Sequence, residues 1–175
     1  MKKNGILFIV TGACGAGKTT LAKKMENEFK GKIKIAATYT TRKKRDGEIE
    51  FLDYIFVSIE KFLKLKEQKF FLEDVSIGEN FYGTPKKYLE RLQNGENLIL
   101  IIDGKGLLEW KKKYNKLFSI FIDCSDEEIL KRIMLRDIKF LEEIEVRCKK
   151  NNMEREMEKS NNFIDLIIYN NNFNL

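Results

Sequence analysis

An apolar run, Ile6–Val10, leads through Thr11 into Gly12-Ala13-Cys14-Gly15-Ala16-Gly17-Lys18-Thr19-Thr20, and a helix-forming stretch to Lys30 follows. The pattern G-x-x-x-x-G-K-[ST] is met at Gly12, Gly17, Lys18 and Thr19. A strand before it and a helix after it make the setting in which such a loop grips phosphate. The glycines let backbone N–H groups turn toward phosphate oxygens, and the helix N-terminus adds a favourable field. Lys18 is placed to neutralise charge between β- and γ-phosphates, and Thr19 to ligate Mg2+. The loop does not say where a phosphoryl group would go.

The remainder of the chain alternates in the same way. The sequence predicts one strand over "KIKIAATYTT", a charged turn at "RKKRDGE" and a short strand in "FLDYIFVS", with Ser58 capping the helix "IEKFLKLKEQ". "KFFLEDVSIGENFYG" reads as two strands around a turn at Gly78–Asn80. Thr84 and Pro85 then open a helix, with Pro85 at its first position. "NLILIIDG" and "KLFSIFIDC" are buried strands, and Ile101 and Asp103, two apart, are expected on one strand face. Ser125 and Glu128 form a capping box before "DEEILKRIMLR". "FLEEIEVRCKKNNMEREMEK" reads as a long polar helix on which Leu141, Ile144 and Cys148 share a face, and "FIDLIIYN" as a last buried strand. Apolar strands alternating with helices indicate an α/β fold, a parallel sheet with helices on both faces.

At 175 residues, one domain is the natural reading. The net charge of +6, from 33 Lys+Arg against 27 Asp+Glu, suits a polyanionic small substrate or nucleic acid. No run is long enough to span a membrane. Cys14, Cys124 and Cys148 lack metal-type spacing and fit a reduced, intracellular chain, with Cys14 a small filler of the loop. The chain has no His, which removes imidazole chemistry and His-ligated metals.

Arg42 and Arg45 stand three apart in "TTRKKRDGE". Taken alone they read as an exposed basic loop, yet an arginine fork also matches a phosphate in two parallel hydrogen bonds. Tyr54 and Tyr82 each read singly as packing residues. Arg132, Arg136 and Arg147 read by composition as surface ion-pair partners of Glu128 and Glu142.

Together "GACGAGKTT", "TYTTRKKRDGE", "DYIFVS", "FLE", "FYGTP" and "IID" occur in the order and at about the spacings of guanylate kinase. The chain resembles that family from about residue 5 to residue 170. The resemblance implies a P-loop kinase fold: a core of residues 1–37, 85–125 and 151–175, an inserted mixed-β subdomain over 38–84 that binds the nucleoside monophosphate, and a helical lid over 126–150. It implies ATP on residues 12–20, with Mg2+ at Thr19 and, through water, at Asp103. It implies Arg42, Arg45, Tyr54 and Tyr82 on the phosphate of GMP, and Glu73, Thr38 and Thr84 on the guanine edge. Lys18, Arg42, Asp103, Arg132, Arg136 and Arg147 would serve catalysis, the last three from the lid. Physics favours that base: a buried carboxylate faces two donors on guanine, whereas adenine would leave it unpaired.

The chain departs from the family at Ile101, where an aspartate is usual, at Lys105, where glutamine often stands, and at Thr38, usually serine. It also lacks a proline between the two arginines, and a last helix after Asn170. The expected reaction is γ-phosphoryl transfer from ATP to GMP, and to dGMP, in purine metabolism in the cytoplasm, by a monomer or homodimer without nucleic-acid or membrane partners. The rivals are a kinase of another phosphate ester, a non-catalytic phosphopeptide-binding module of the same fold and a nucleic-acid binder. The joint presence of Glu73, Thr38 and Thr84 speaks against the first. Lys18 and Thr19 speak against the second.

Overall fold

The computed structural model describes residues 3–136, 155 and 163–171. In order these form β1 (Leu7–Gly12), α1 (Lys18–Glu28), β2 (Ile33–Ile35), β3 (Thr38–Thr40), β4 (Tyr54–Phe56), α2 (Ile59–Glu67), β5 (Phe71–Ile77), β6 (Asn80–Pro85), α3 (Lys87–Gln93), β7 (Asn97–Ile101), α4 (Gly104–Lys113), β8 (Leu117–Asp123), α5 (Asp126–Arg136) and β9 (Leu166–Tyr169).

The apolar runs pair into one parallel sheet, ordered β2-β7-β1-β8-β9. Side chains alternate across it, so its two faces build two cores. Leu7, Ile9, Leu98 and Leu100 pack with Tyr88 and Leu92 of α3 and with Leu107 and Trp110 of α4. Val10, Ile99, Ile120 and Ile122 pack with Ala22 of α1 and Ile129 of α5. The second sheet, β4-β3-β6-β5, is mixed, with β3 and β4 parallel and the other pairs antiparallel. Phe62 and Leu65 of α2 close it over Phe71, with Phe62 stacked on Phe71 at 4.5 Å between ring centres.

Several expectations are corrected. The single strand over "KIKIAATYTT" divides at Ala36–Ala37: β2 joins the parallel sheet and β3 the mixed one. Ala36 donates its N–H to Ile99, and the Tyr88 hydroxyl donates to the Ala37 carbonyl at 2.6 Å, which fixes the crossing. Thr84 and Pro85 end β6, and α3 begins only at Lys87. Pro85, lacking an N–H, stands at the strand's last pairing, opposite Phe71. β7 stops at Ile101, and Asp103 is the N-cap of α4, its Oδ1 accepting from the Gly106 N–H at 2.9 Å.

Two other expectations hold in part or in full. Ser58 caps α2 through the Lys61 N–H at 3.1 Å, as expected. Ser125 accepts from the Glu128 N–H, but the reciprocal half of the box is absent. The Glu128 carboxylate turns to Arg132, and the Ser125 N–H donates to Asn171 instead. β9 is not buried: it lies at the sheet's end with Leu166 and Ile167 exposed. The long polar helix with Leu141, Ile144 and Cys148, and lid residues 137–150, lie outside the described residues. Among those described, no helix is long and apolar enough to cross a membrane.

Candidate active site

The strand-to-helix turn after β1 is built by close approach. A Cβ on Gly12 would lie 2.1 Å from the Ile122 carbonyl oxygen, and its φ of +126° suits glycine alone. The Ala13 N–H then donates to that same carbonyl at 3.3 Å. Gly15 and Gly17 also have positive φ, and Gly17 delivers the chain into α1. The first intrahelical bond there runs from Leu21 to Gly17. The amides of Lys18, Thr19 and Thr20 precede it and are left for an anion at the helix start. Lys18 Nζ folds over the loop and donates to the carbonyls of Gly12 (2.7 Å) and Ala13 (2.8 Å).

Beneath the loop lies Arg132, nearly buried. Its guanidinium donates to Glu128 Oε1 at 3.1 Å, to the carbonyls of Gly15 (3.4 Å) and Ala16 (3.5 Å) and to that of Asn170 at 2.9 Å. Asn170 Nδ2 donates to the Ala16 carbonyl at 2.8 Å. The expected ion pair of Arg132 with Glu128 is therefore present, and it braces the loop. The Arg136 side chain and all of Arg147 lie outside what is described.

Register brings the end of β7 beside β1, with Val10 opposite Ile101. Ile101 packs against the apolar cluster of that sheet face. Asp103 follows it at the start of α4.

The mixed sheet gathers a second cluster. The Arg42 guanidinium lies 5.3 Å from the Tyr54 ring centre and 5.8 Å from that of Phe56. It donates to Glu48 Oε1 at 2.7 Å, while Glu48 Oε2 accepts from the Arg45 N–H at 2.8 Å. One carboxylate thus orients both arginine positions. Glu48 is a positioning residue that sequence reasoning left unassigned, although it closes the quoted "RKKRDGE". Burial opposes the charge of Glu48, but the bonds from Arg42 and Arg45 outweigh it and hold the carboxyl below its usual range. Tyr54 and Tyr82 meet edge to face at 6.1 Å. Burial, with the neighbouring Tyr82, pushes the Tyr54 hydroxyl up to about 12, so it stays a donor.

Glu73 pairs directly across from Thr84, whose hydroxyl donates to Glu73 Oε1. The β3–β6 register, Tyr39 opposite Gly83 and Thr40 opposite Tyr82, carries Thr38 to the same end as Thr84. Both threonines are buried. Burial raises the Glu73 carboxyl to about 7; the Thr84 bond pulls it down and the charges of Asp103 and Asp74 push it further up. Sequence reasoning also missed Arg155, which ties Asp123 (2.8 Å) and Asp126 (2.6 Å) together at the end of β8. Its setting in "MEREMEK" gives no signal of that.

A phosphate loop at the C-terminal end of a parallel sheet, with an arginine–tyrosine cluster and a buried carboxylate on an inserted sheet, defines a P-loop kinase of small phosphorylated substrates. The guanylate kinase family model matches residues 4–175, so the chain belongs to the guanylate kinase family. It is 36% identical over 171 residues to a guanylate kinase of Campylobacter jejuni, covering 96% of this chain and 82% of that protein. It is 37% identical over 179 residues to one of Blochmanniella floridana, covering 100% and 84%. The crystal structure of guanylate kinase from Anaplasma phagocytophilum superposes with a TM-score of 0.74 at 29% identity, covering 98% of this chain and 79% of that one.

Proposed function

We propose that this chain transfers the γ-phosphoryl group of ATP to GMP, giving ADP and GDP. The observation that carries this is the cross-strand pair of Glu73 and Thr84, with Thr38 beside it, on the same sheet as Tyr54 and Tyr82, with Arg42 and Arg45 on the β3–β4 connection of that sheet. The carboxylate takes the ring N–H and exocyclic amine of guanine, Thr38 donates to its carbonyl, and Thr84 turns its one hydroxyl proton from Glu73 to that carbonyl when the base binds. The arginines and tyrosine hydroxyls hold the 5′-phosphate. dGMP, with the same base and phosphate, is accepted too.

Residues 12–20 hold ATP. Lys18 exchanges its loop carbonyls for phosphate oxygens. Phosphoryl transfer asks for little covalent work, so position and positive charge supply most of the rate. Arg42 serves at the acceptor phosphate, while Arg132, held under the phosphate loop by the Gly15 and Ala16 carbonyls, adds charge from below it and Arg136 and Arg147 add charge from the lid, residues 126–150. Residues 38–84 act as the acceptor subdomain on a core made of the rest, and closure excludes water, which would otherwise take the phosphoryl group.

The all-oxygen donors Thr19 and Asp103 fit Mg2+, which keeps waters and takes phosphate oxygens as ligands. Bound there, Mg2+ would supply positive charge against the phosphates, with Thr19 holding it directly and Asp103 through water. The reaction belongs in the cytoplasm, where both nucleotides are at hand.

ADP release with ATP, Mg2+ and GMP, dGMP, AMP, CMP or UMP is the test. GMP is expected to lead, with AMP rejected by roughly 10⁴-fold. Equal rates with AMP and GMP would overturn the reading.

A further inference from the structure

Gly106 stands in the first turn of α4, buried, and is not among the residues of positive φ. Alanine would suit such a helical position better. The backbone therefore does not call for glycine, but a neighbour does. A Cβ on Gly106 would meet Glu73 Oε2 at 3.3 Å, Glu73 Cδ at 3.4 Å and Ile102 Cδ1 at 3.2 Å. These contacts are tight enough that a neighbour must give way by a few tenths of an ångström. The other carboxylate oxygen, Oε1, is engaged by the Thr84 hydroxyl. Glu73 is thus seated between a hydroxyl on β6 and the bare Cα of a helix from the other sheet's scaffold.

We infer that Gly106 is a specificity-determining residue for the acceptor base. By carrying no side chain it lets the Glu73 carboxylate sit back far enough for both oxygens to face the two donors of guanine. The inference rests on the GMP reading above. The same turn also carries Asp103, to which the Gly106 N–H is bonded, so Gly106 is held in place by the residue on the phosphate side. A few tenths of an ångström matter here because the two hydrogen bonds share one rigid planar group. Advancing Oε2 tilts the carboxylate plane and misaligns the bond to the exocyclic amine.

The test is Gly106→Ala in the full chain, assayed with ATP against GMP and against IMP, which keeps the ring N–H but lacks the amine. The variant is expected to raise the KM for GMP about tenfold, to narrow the GMP-to-IMP ratio of kcat/KM, and to leave the KM for ATP and the melting temperature unchanged or the latter raised. In a Glu73→Ala background the same change should have no further effect on the KM for GMP or on the GMP-to-IMP ratio. An unchanged GMP-to-IMP ratio overturns the inference, as does an equal effect in the Glu73→Ala background, which would make Ile102 the affected neighbour. If Gly106→Ala fails to fold, thermal melting of the double variant decides. Recovery of the fold supports a clash with Glu73, and no recovery overturns it. A wild-type enzyme that does not prefer GMP to IMP overturns the guanine reading itself, whatever Gly106 does.

Discussion

A carboxyl group buried beside Thr84 and near the charge of Asp103 ionises reluctantly, whereas the contact proposed for it with guanine's two donors needs it ionised. With the free carboxyl at about 7, GMP affinity should climb as pH rises through that value, with a proton released on binding below it. The sign for folding is opposite. The folded value lies above the unfolded one, so this group's contribution to stability is fully present below about 4.5 and is lost as pH rises through about 7. Glu73→Gln should therefore bind GMP weakly at every pH, lose the pH dependence, and be more stable than wild type at pH 8 by on the order of 2–3 kcal/mol. Titration calorimetry and thermal melts across pH 5.5–8.5 check both. Phe51 is a second residue at odds with its place, with φ of +64° and 73% exposure. Phe51→Gly should remove that strain and stabilise by about 0.5–1 kcal/mol, read as a higher melting temperature. Ile101 lies opposite Val10, beside the phosphate loop, with no group to accept a hydrogen bond. Ile101→Asp should speed turnover about tenfold or more and lower the Mg2+ requirement, at some cost in stability because Ile101 packs in the apolar cluster. Turnover against Mg2+ concentration measures it.

The ends of elements, more than their middles, decide where the site residues fall. The apolar middles of β1, β7 and β8 were legible because burial on both faces demands continuous apolar residues. Ends depend on partners distant in sequence. Pro85 was expected at a helix start because proline suits that position locally, but pairing with Phe71 holds it in β6. That makes Thr84 a strand residue and turns its hydroxyl to Glu73. Asp103 was legible as a strand-end carboxylate; its capping role needs Gly106 in view. The brace under the phosphate loop was not legible, since Asn170 lies 154 positions from Ala16. Asn170→Ala should leave the Ala16 carbonyl with only its long Arg132 bond and raise the KM for ATP several-fold while sparing that for GMP, a loss of about 1–2 kcal/mol. Steady-state kinetics with each nucleotide varied in turn separates the two.

Two sheets divide the candidate site: β1 of the parallel sheet leads into the phosphate loop, and the mixed sheet carries Glu73, Tyr54 and Tyr82. Lys23 of α1 reaches Asp53 of the mixed-sheet segment at 2.8 Å, a direct tie between them. With arginines on the β3–β4 loop of the inserted segment and on α5, the molecule is expected to contract around bound nucleotides. Small-angle scattering should show a smaller radius of gyration with GMP and a non-hydrolysable ATP analogue together than with neither. An unchanged radius would mean that the sheets are already at their working separation. The chain leaves the parallel sheet at Ala36–Ala37 and comes back at Pro85–Lys86, and the β3–β6 register places these crossings side by side. Topologically, then, everything between them is a cassette with adjoining ends. It can be cut out and another spliced in without breaking a strand of the parallel sheet, so a lineage, or an engineer, can exchange the acceptor while inheriting the phosphate donor machinery whole.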